Sequence, residues 1–112
     1  MNRFVEIRGY SLEPGTRAEF HRLVLGESVP MLGRHGIDVV AFGPSRHDEG
    51  SYVLIRAFDG LEDRQRQEAA FYGSQEWRDG PRQQIEDCIT SYTTVVLEMD
   101  PETIVGLRRM MG

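Results

Sequence analysis

Glu6 and Arg8 stand two residues apart in FVEIRGY, and Arg56 stands in YVLIRAF. Each is a charged side chain inside a run of aromatic and β-branched neighbours, the composition of a strand. Side chains alternate across a strand, so one row holds Phe4, Glu6, Arg8 and Tyr10, with Tyr52, Leu54, Arg56 and Phe58 in the matching row. The opposite rows, Val5 and Ile7 with Val53, Ile55 and Ala57, are small and apolar. Covering the mixed row with helices would bury Glu6, Arg8 and Arg56, and a buried charge requires a partner, water or a ligand. Two chemistries follow. Glu6 can pair with Arg8 or Arg56 and fill space, the commoner outcome for such groups, or the guanidiniums can hold an anionic guest. The reverse assignment of faces would place these charges between copies of the chain.

A second concentration of chemistry lies in AFYGSQEWRDGPR, residues 70–82, where Phe71, Tyr72 and the single tryptophan, Trp77, surround Gly73-Ser74. Rings gathered at a helix junction wedge a core or wall a pocket. Together with Tyr10, Tyr52 and Phe58, Tyr72 and Trp77 are candidate walls for a small-molecule site, and Tyr72 is a candidate for proton transfer. His21 sits beside Phe20 and near Val24, and it is the best placed histidine for a general base, although nearby carboxylates at helical spacing are lacking. His35 reads as a partner of a helix C-terminus, and His47 belongs to a solvated turn with Asp48 and Glu49. The histidines show no metal-ligand spacing, so no metal is expected. Cys88 shares helical spacing with Ile85 and Ile89 and reads as buried and inert. Nucleotide-binding glycine loops and a nucleophile elbow are absent from the sequence, and no cofactor is expected.

These residues are positioned by an alternating series of elements. Phe4–Tyr10, Ile37–Gly43, Tyr52–Phe58 and Tyr92–Met99 read as strands. Thr16 and Glu19 have the spacing of a capping box opening a helix that runs toward Gly33, with Pro30 kinking or ending it. Asp59 and Glu62 repeat the pattern for a second helix ending near Gly73. Ser74 is placed to cap a short turn carrying Trp77, and Pro81 suits the first position of a helix with Ile85, Cys88 and Ile89. Arg64, Gln65, Arg66, Gln67 and Glu68 read mostly as a solvated face, with Gln65 and Glu68 able to reach a cavity. A tail helix over about 101–111 has an apolar stripe of Ile104, Leu107, Met110 and Met111. The order β-α-β-β-α-β predicts a ferredoxin-like α+β fold: a four-stranded antiparallel sheet with the main helices on one face. The bare apolar face would then meet its twin in a homodimer.

The chain has 112 residues, the length of one domain. Its net charge of −5 and pI of about 5.1 argue against nucleic acid or an anionic membrane as partner. All of its basic residues are arginine, which removes Schiff-base chemistry. One cysteine and no long apolar run point to a reducing, cytoplasmic setting.

The strings VEIRGYSLEPGTRAEF, RHGIDVVAFGPS, YVLIRAFDGLEDR and AFYGSQEWRDGPR together resemble the NIPSNAP proteins of the dimeric α+β barrel superfamily. The likeness runs to about Met99. It implies a protomer that dimerises through its sheets, and it implies no established reaction. Haem-degrading members of that superfamily carry an asparagine, a tryptophan and an iron-ligating histidine at positions that correspond here to Arg8, Phe58 and about Pro81. All three differ, which counts against haem chemistry. The expected function is a pocket for a small molecule whose anionic group is held by Arg8 and Arg56. The alternatives are a cofactor-independent monooxygenase or isomerase using Tyr72 or His21, and a module that only binds other proteins.

Overall fold

The computed structural model describes residues 1–111, with side chains through Met110. Strands β1 (Arg3–Leu12), β2 (Asp38–Pro44), β3 (Ser51–Phe58) and β4 (Ile89–Met99) form one sheet in the order β2-β3-β1-β4. Every neighbouring pair is antiparallel, with Glu6 opposite Arg56 and Arg8 opposite Leu54 and Thr94. The expected α+β architecture is present. At Val40 the β2–β3 register slips, so Val39 and Val40 together face Arg56, and Val40 and Ala41 both reach the same side.

The first helical segment comprises α1 (Arg17–Leu23), a π-helical turn (Val24–Ser28) and α2 (Val29–Arg34). The irregularity falls just before Pro30, which has no N–H to donate and whose ring crowds the preceding turn. Gly36 then ends α2 at φ +79°, with Ile37 N–H bonding Leu32 C=O and Gly36 N–H bonding Gly33 C=O, a six-to-one and five-to-two closure. The remaining helices are α3 (Leu61–Tyr72), α4 (Gln75–Asp79), α5 (Arg82–Asp87) and α6 (Pro101–Met111).

The expected cap at Ser74 forms, with its Oγ accepting from Trp77 N–H at 3.2 Å, and Asp100 Oδ1 caps the tail helix by accepting from Thr103 N–H at 2.7 Å. The two expected capping boxes do not form. Thr16 Oγ1 instead donates to the Glu13 carbonyl at 2.7 Å, while Glu19 pairs with Arg22. Helix α3 starts one residue later than expected, from Gly60, and the Asp59 carboxylate turns to Arg3 at 3.2 Å. At Asp59 the guanidinium of Arg3 outcompetes the helix end, whereas the Thr16 hydroxyl is held toward the Glu13 carbonyl and accepts nothing from the helix. Helix α5 also stops sooner than expected, with Cys88 at its end and Ile89 already in β4.

The mixed row of the sheet lies under the helices. Phe20, Leu23 and Leu32 pack with Tyr52, Leu54, Phe58, Phe71, Trp77 and Ile85 in that layer. The other face is not wholly bare. Ile104 of α6 is buried among Val5, Val40, Ala41 and Ala57, with Leu107 beside it, and Arg108 reaches Asp38 at 2.6 Å and the Val39 carbonyl at 3.1 Å. The tail stripe therefore closes over the chain's own β2 side. Met110 is exposed, and the Met111 side chain lies outside the described residues. The β4 side of that face keeps Val95 and Leu97 about half exposed, at 51% and 45%.

Candidate functional site

Strand pairing places Glu6 directly across from Arg56, and both side chains are fully buried. Arg56 grips one carboxylate oxygen, with Nε at 2.9 Å and Nη2 at 2.5 Å from Glu6 Oε1. Arg64 of α3 takes the other, with Nε at 2.8 Å from Oε2. Glu68, one turn further along α3, has Oε2 at 3.2 Å from Arg56 Nη2 and Oε1 at 3.6 Å from Arg64 Nη2. Gln65 and Arg66 of that turn are exposed, but Arg64 and Glu68 face inward and close the cluster from above, with Glu68 lining the cavity as the sequence allowed, which explains why the helix has so few apolar residues before Ala69. Gln65 is exposed and does not line the cavity beside this cluster.

Three guanidiniums, Arg8, Arg56 and Arg64, thus meet two carboxyls, Glu6 and Glu68, in a space mostly shut off from water. Burial pushes Glu68 up to about 7, helped by its hydrogen bond to Glu6. Burial also pushes Glu6 upward, but its bond to Glu68 and the charges of Arg56 and Arg8 prevail and hold it well below the usual carboxylate range. The two acids have been driven apart by their surroundings, one kept ionised and the other able to carry a proton near neutrality.

Arg8 is the guanidinium of this cluster that borders the cavity, with Glu68 beside it. A cavity of about 450 Å³ lies between sheet and helices, lined by Arg8, Tyr10, Glu68, Tyr72, Trp77 and Tyr92 among others. Phe20, Val24, Leu54, Ile85 and Ile89 supply apolar wall, with Ser28 of the π-helical turn, and Arg82 and Glu86 of α5 also face it. The Arg8 side chain is 12% exposed, and the contacts of its guanidinium are long: 3.5 Å to Glu6, 3.7 Å to Glu68, 3.4 Å to the Tyr72 hydroxyl and 3.3 Å to Thr94 Oγ1. It also lies 4.9 Å from the centre of the Tyr92 ring. The Tyr72 hydroxyl accepts from Arg56 Nη1 at 2.8 Å as well as from Arg8. With both lone pairs engaged, its own proton is free to donate.

The aromatic junction builds the far wall. Ser74 caps α4 and turns Trp77 inward, where its ring sits 5.4 Å from Tyr72 and 5.3 Å from Phe71. Tyr10 meets Phe20 edge-on at 5.3 Å, and burial pushes its phenol up to about 12, keeping it neutral.

Of the residues singled out from sequence, Arg8, Tyr10, Glu68, Tyr72 and Trp77 border the cavity. Glu6, Arg56, Tyr52 and Phe58 do not; the first two form the ion-paired floor behind Arg8, and the others belong to the packed layer. His21 also faces elsewhere, with Nδ1 2.6 Å from the Tyr52 hydroxyl. His35 meets Glu76 at 2.9 Å rather than acting on helix carbonyls alone. Cys88 is buried, and burial pushes its thiol up. Arg64 and Tyr92 were not anticipated. Arg64 had a readable signal in its four-residue spacing from Glu68 on a helix with little apolar surface, whereas Tyr92 carried none until β4 was placed beside β1. Among the described residues no cluster of three His, Cys, Asp or Glu side chains converges, and no helix is long and apolar enough to cross a membrane.

No family model matches the chain, and no curated protein does. Solved structures do. A NIPSNAP family protein of unknown function from Agrobacterium tumefaciens is similar at 24% identity and TM-score 0.79, over 88% of this chain and 92% of the other. A second NIPSNAP family protein from the same organism superposes at TM-score 0.81 with 16% identity, over 92% and 90%. A putative antibiotic biosynthesis monooxygenase from Nitrosomonas europaea follows at TM-score 0.67 and 16% identity, over 87% and 89%. The chain has the fold that NIPSNAP family structures share.

Proposed function

We propose that the chain is a NIPSNAP-type protein, one domain acting as a cytoplasmic homodimer, that binds a small anionic molecule in the cavity between sheet and helices. The observation that carries this reading is the charge excess behind the cavity wall. Three guanidiniums face two carboxyls there, and Arg8, the least tightly held of the three, points its surplus charge at the opening. Positive charge withheld from water is costly until an anion answers it. The cavity volume falls in the range of small-molecule sites, and its wall is mainly aromatic and aliphatic. Val95 and Leu97, with the partly exposed Ile7 and Ile55 beside them, give a continuous apolar strip on the other face for a second copy.

A second reading, a cofactor-independent monooxygenase or isomerase, draws support from the Tyr72 hydroxyl, which has two guanidinium donors and a free proton at the cavity wall. The shared fold with the Nitrosomonas protein is consistent with it. In that case Tyr72 is the proton donor and His21, bonded to Tyr52 outside the cavity, is not required. The pure interaction module is disfavoured because the tail stripe packs on its own sheet.

Native mass spectrometry of protein purified without added ligand tests the first reading. A dimer carrying extra mass from a small organic acid is expected. A monomer with no adduct, and no binding across a panel of small organic anions, would contradict it.

A further inference from the structure

A cavity that takes a small anion still leaves the class of guest open. Resting on that small-molecule function, we propose that the guest is a planar aromatic acid bound as its anion, its carboxylate received by Arg8 and the Tyr72 hydroxyl, and that its uptake is coupled to a proton carried by Glu68. Arg8 has the geometry for this role. None of its contacts is shorter than 3.3 Å, whereas Arg56 and Arg64 hold Glu6 at 2.5–2.9 Å, so Arg8 can turn to a new carboxylate without breaking the cluster. A guanidinium fork matches a carboxylate two bonds at a time, and the Tyr72 O–H supplies a third donor beside it.

The body of the guest is set by the walls. Tyr10, Phe20, Tyr72, Trp77 and Tyr92 present rings around the space, and flat aromatic groups pack against such rings in offset or edge-on contact. An aliphatic acid would use the area and not the ring geometry. A phosphate would find Arg8 and Tyr72 as its donors at this wall, since Arg56 and Arg64 are already committed to Glu6 and Arg82 across the cavity is paired with Glu86.

The proton follows from the position of Glu68. Its Oε1 is 3.7 Å from Arg8 Nη2, so a guest carboxylate on Arg8 would share that guanidinium with a second anion. Its Oε2 is buried and has one charged neighbour, Arg56 Nη2 at 3.2 Å, which is already committed to Glu6 at 2.5 Å, so an ionised carboxylate there is short of well-aligned donors. The groups facing Glu68 are Arg64 and Tyr72 on its own helix, Glu6, Arg8 and Tyr10 on β1, Arg56 on β3, Tyr92 on β4, and the Arg82–Glu86 pair of α5 across the cavity. The like charge of Glu6 and of the guest both favour a neutral Glu68, and the proton comes from solvent as the anion enters. Burial already raises the carboxyl to about 7, so the coupling falls at neutral pH.

Isothermal titration calorimetry with cinnamate and its neutral isostere cinnamamide, in two buffers of different ionisation enthalpy near neutral pH, tests this. Cinnamate should bind about tenfold to a hundredfold tighter than the amide, the span of a charge-assisted hydrogen bond. It should also take up a fraction of a proton, and Glu68→Gln should bind cinnamate with that uptake gone. Equal affinities for acid and amide would overturn the anion assignment while leaving a small-molecule pocket intact. Binding of cinnamate with no proton uptake, or uptake unchanged in Glu68→Gln, would overturn the coupling. Failure of both compounds to bind a dimer that co-purifies with some other molecule would overturn the aromatic-acid class without touching the pocket.

Discussion

Arg8 Nη1 lies 3.4 Å from the Tyr72 hydroxyl, which joins the guanidinium that borders the cavity to the ring that walls it. The same hydroxyl receives Arg56 Nη1 at 2.8 Å, so one phenol links the sealed ion cluster to the open site. The two arginines therefore have separable jobs despite standing on neighbouring strands.

Substitution should separate them. Arg56→Gln leaves Glu6 fully buried with half its pairing lost, which costs about 3–5 kcal/mol. Arg8→Gln removes only long contacts and should change folding stability by about 1 kcal/mol or less, while abolishing the preference for anions. Urea denaturation of both variants, beside anion titrations of Arg8→Gln, reads the difference. Equal destabilisation by the two substitutions would show that Arg8 is part of the structural cluster.

The pH dependence of stability has a definite sign. Glu68 is raised from an ordinary 4.5 to about 7, so between those values the folded chain holds a proton that the unfolded chain has released. Its contribution is fully present below about 4.5 and is lost as pH rises through about 7. Glu6 acts oppositely, since its lowered carboxyl contributes stability above 4.5 that disappears on acidification below it. Glu68→Gln, which mimics the protonated acid, should gain on the parent as pH increases from about 5 to about 8. Denaturation midpoints measured across that range check it; parallel curves for the two proteins would remove Glu68 as the titrating group.

The aromatic wall depends on a close backbone passage. A Cβ at Gly80 would stand 2.5 Å from the Glu76 carbonyl oxygen, a backbone atom that cannot swing aside. Gly80→Ala should cost about 1–3 kcal/mol and loosen the turn that holds Trp77. A lower melting temperature with a changed tryptophan emission is expected, and unchanged values of both would show that α4 shifts freely.

The proposed homodimer should break at β4. Val95 stands opposite Ile7 and Leu97 opposite Val5 on the face away from the cavity, and both are half exposed. Val95→Arg would place a charge in the centre of that strip, converting dimer to monomer in analytical ultracentrifugation with circular dichroism unchanged. An unaltered dimer would move the interface to another surface.

Much of this was legible in alternation alone. The rows Glu6-Arg8-Tyr10 and Tyr52-Leu54-Arg56 followed from period two, and covering them with helices forced the charges together. Ser74 announced its cap because its oxygen stays free to accept from Trp77 N–H while its proton goes to the Phe71 carbonyl. Thr16 and Asp59 misled for different reasons: Thr16 makes a local bond to the Glu13 carbonyl three residues back, whereas Arg3, brought close only by the fold, draws the Asp59 carboxylate away. The part of α3 from Arg64 to Glu68 looked like solvent surface because charge is normally outside; here its partners, Glu6 and Arg56, come from strands distant in sequence. Local pattern carries no record of such pairs. The docking of α6 was hidden similarly, as Ile104 needed the bulge at Val40 to provide its seat.

The most direct measurement is a crystal structure of the protein with cinnamate bound. The carboxylate is expected within hydrogen-bond reach of the Arg8 guanidinium and the Tyr72 hydroxyl, about 3 Å from each, with the ring between Tyr10, Trp77 and Tyr92. A carboxylate turned away to Arg82 at α5, or a cavity left empty at saturating cinnamate, would contradict the assignment of Arg8 as the anion's receptor.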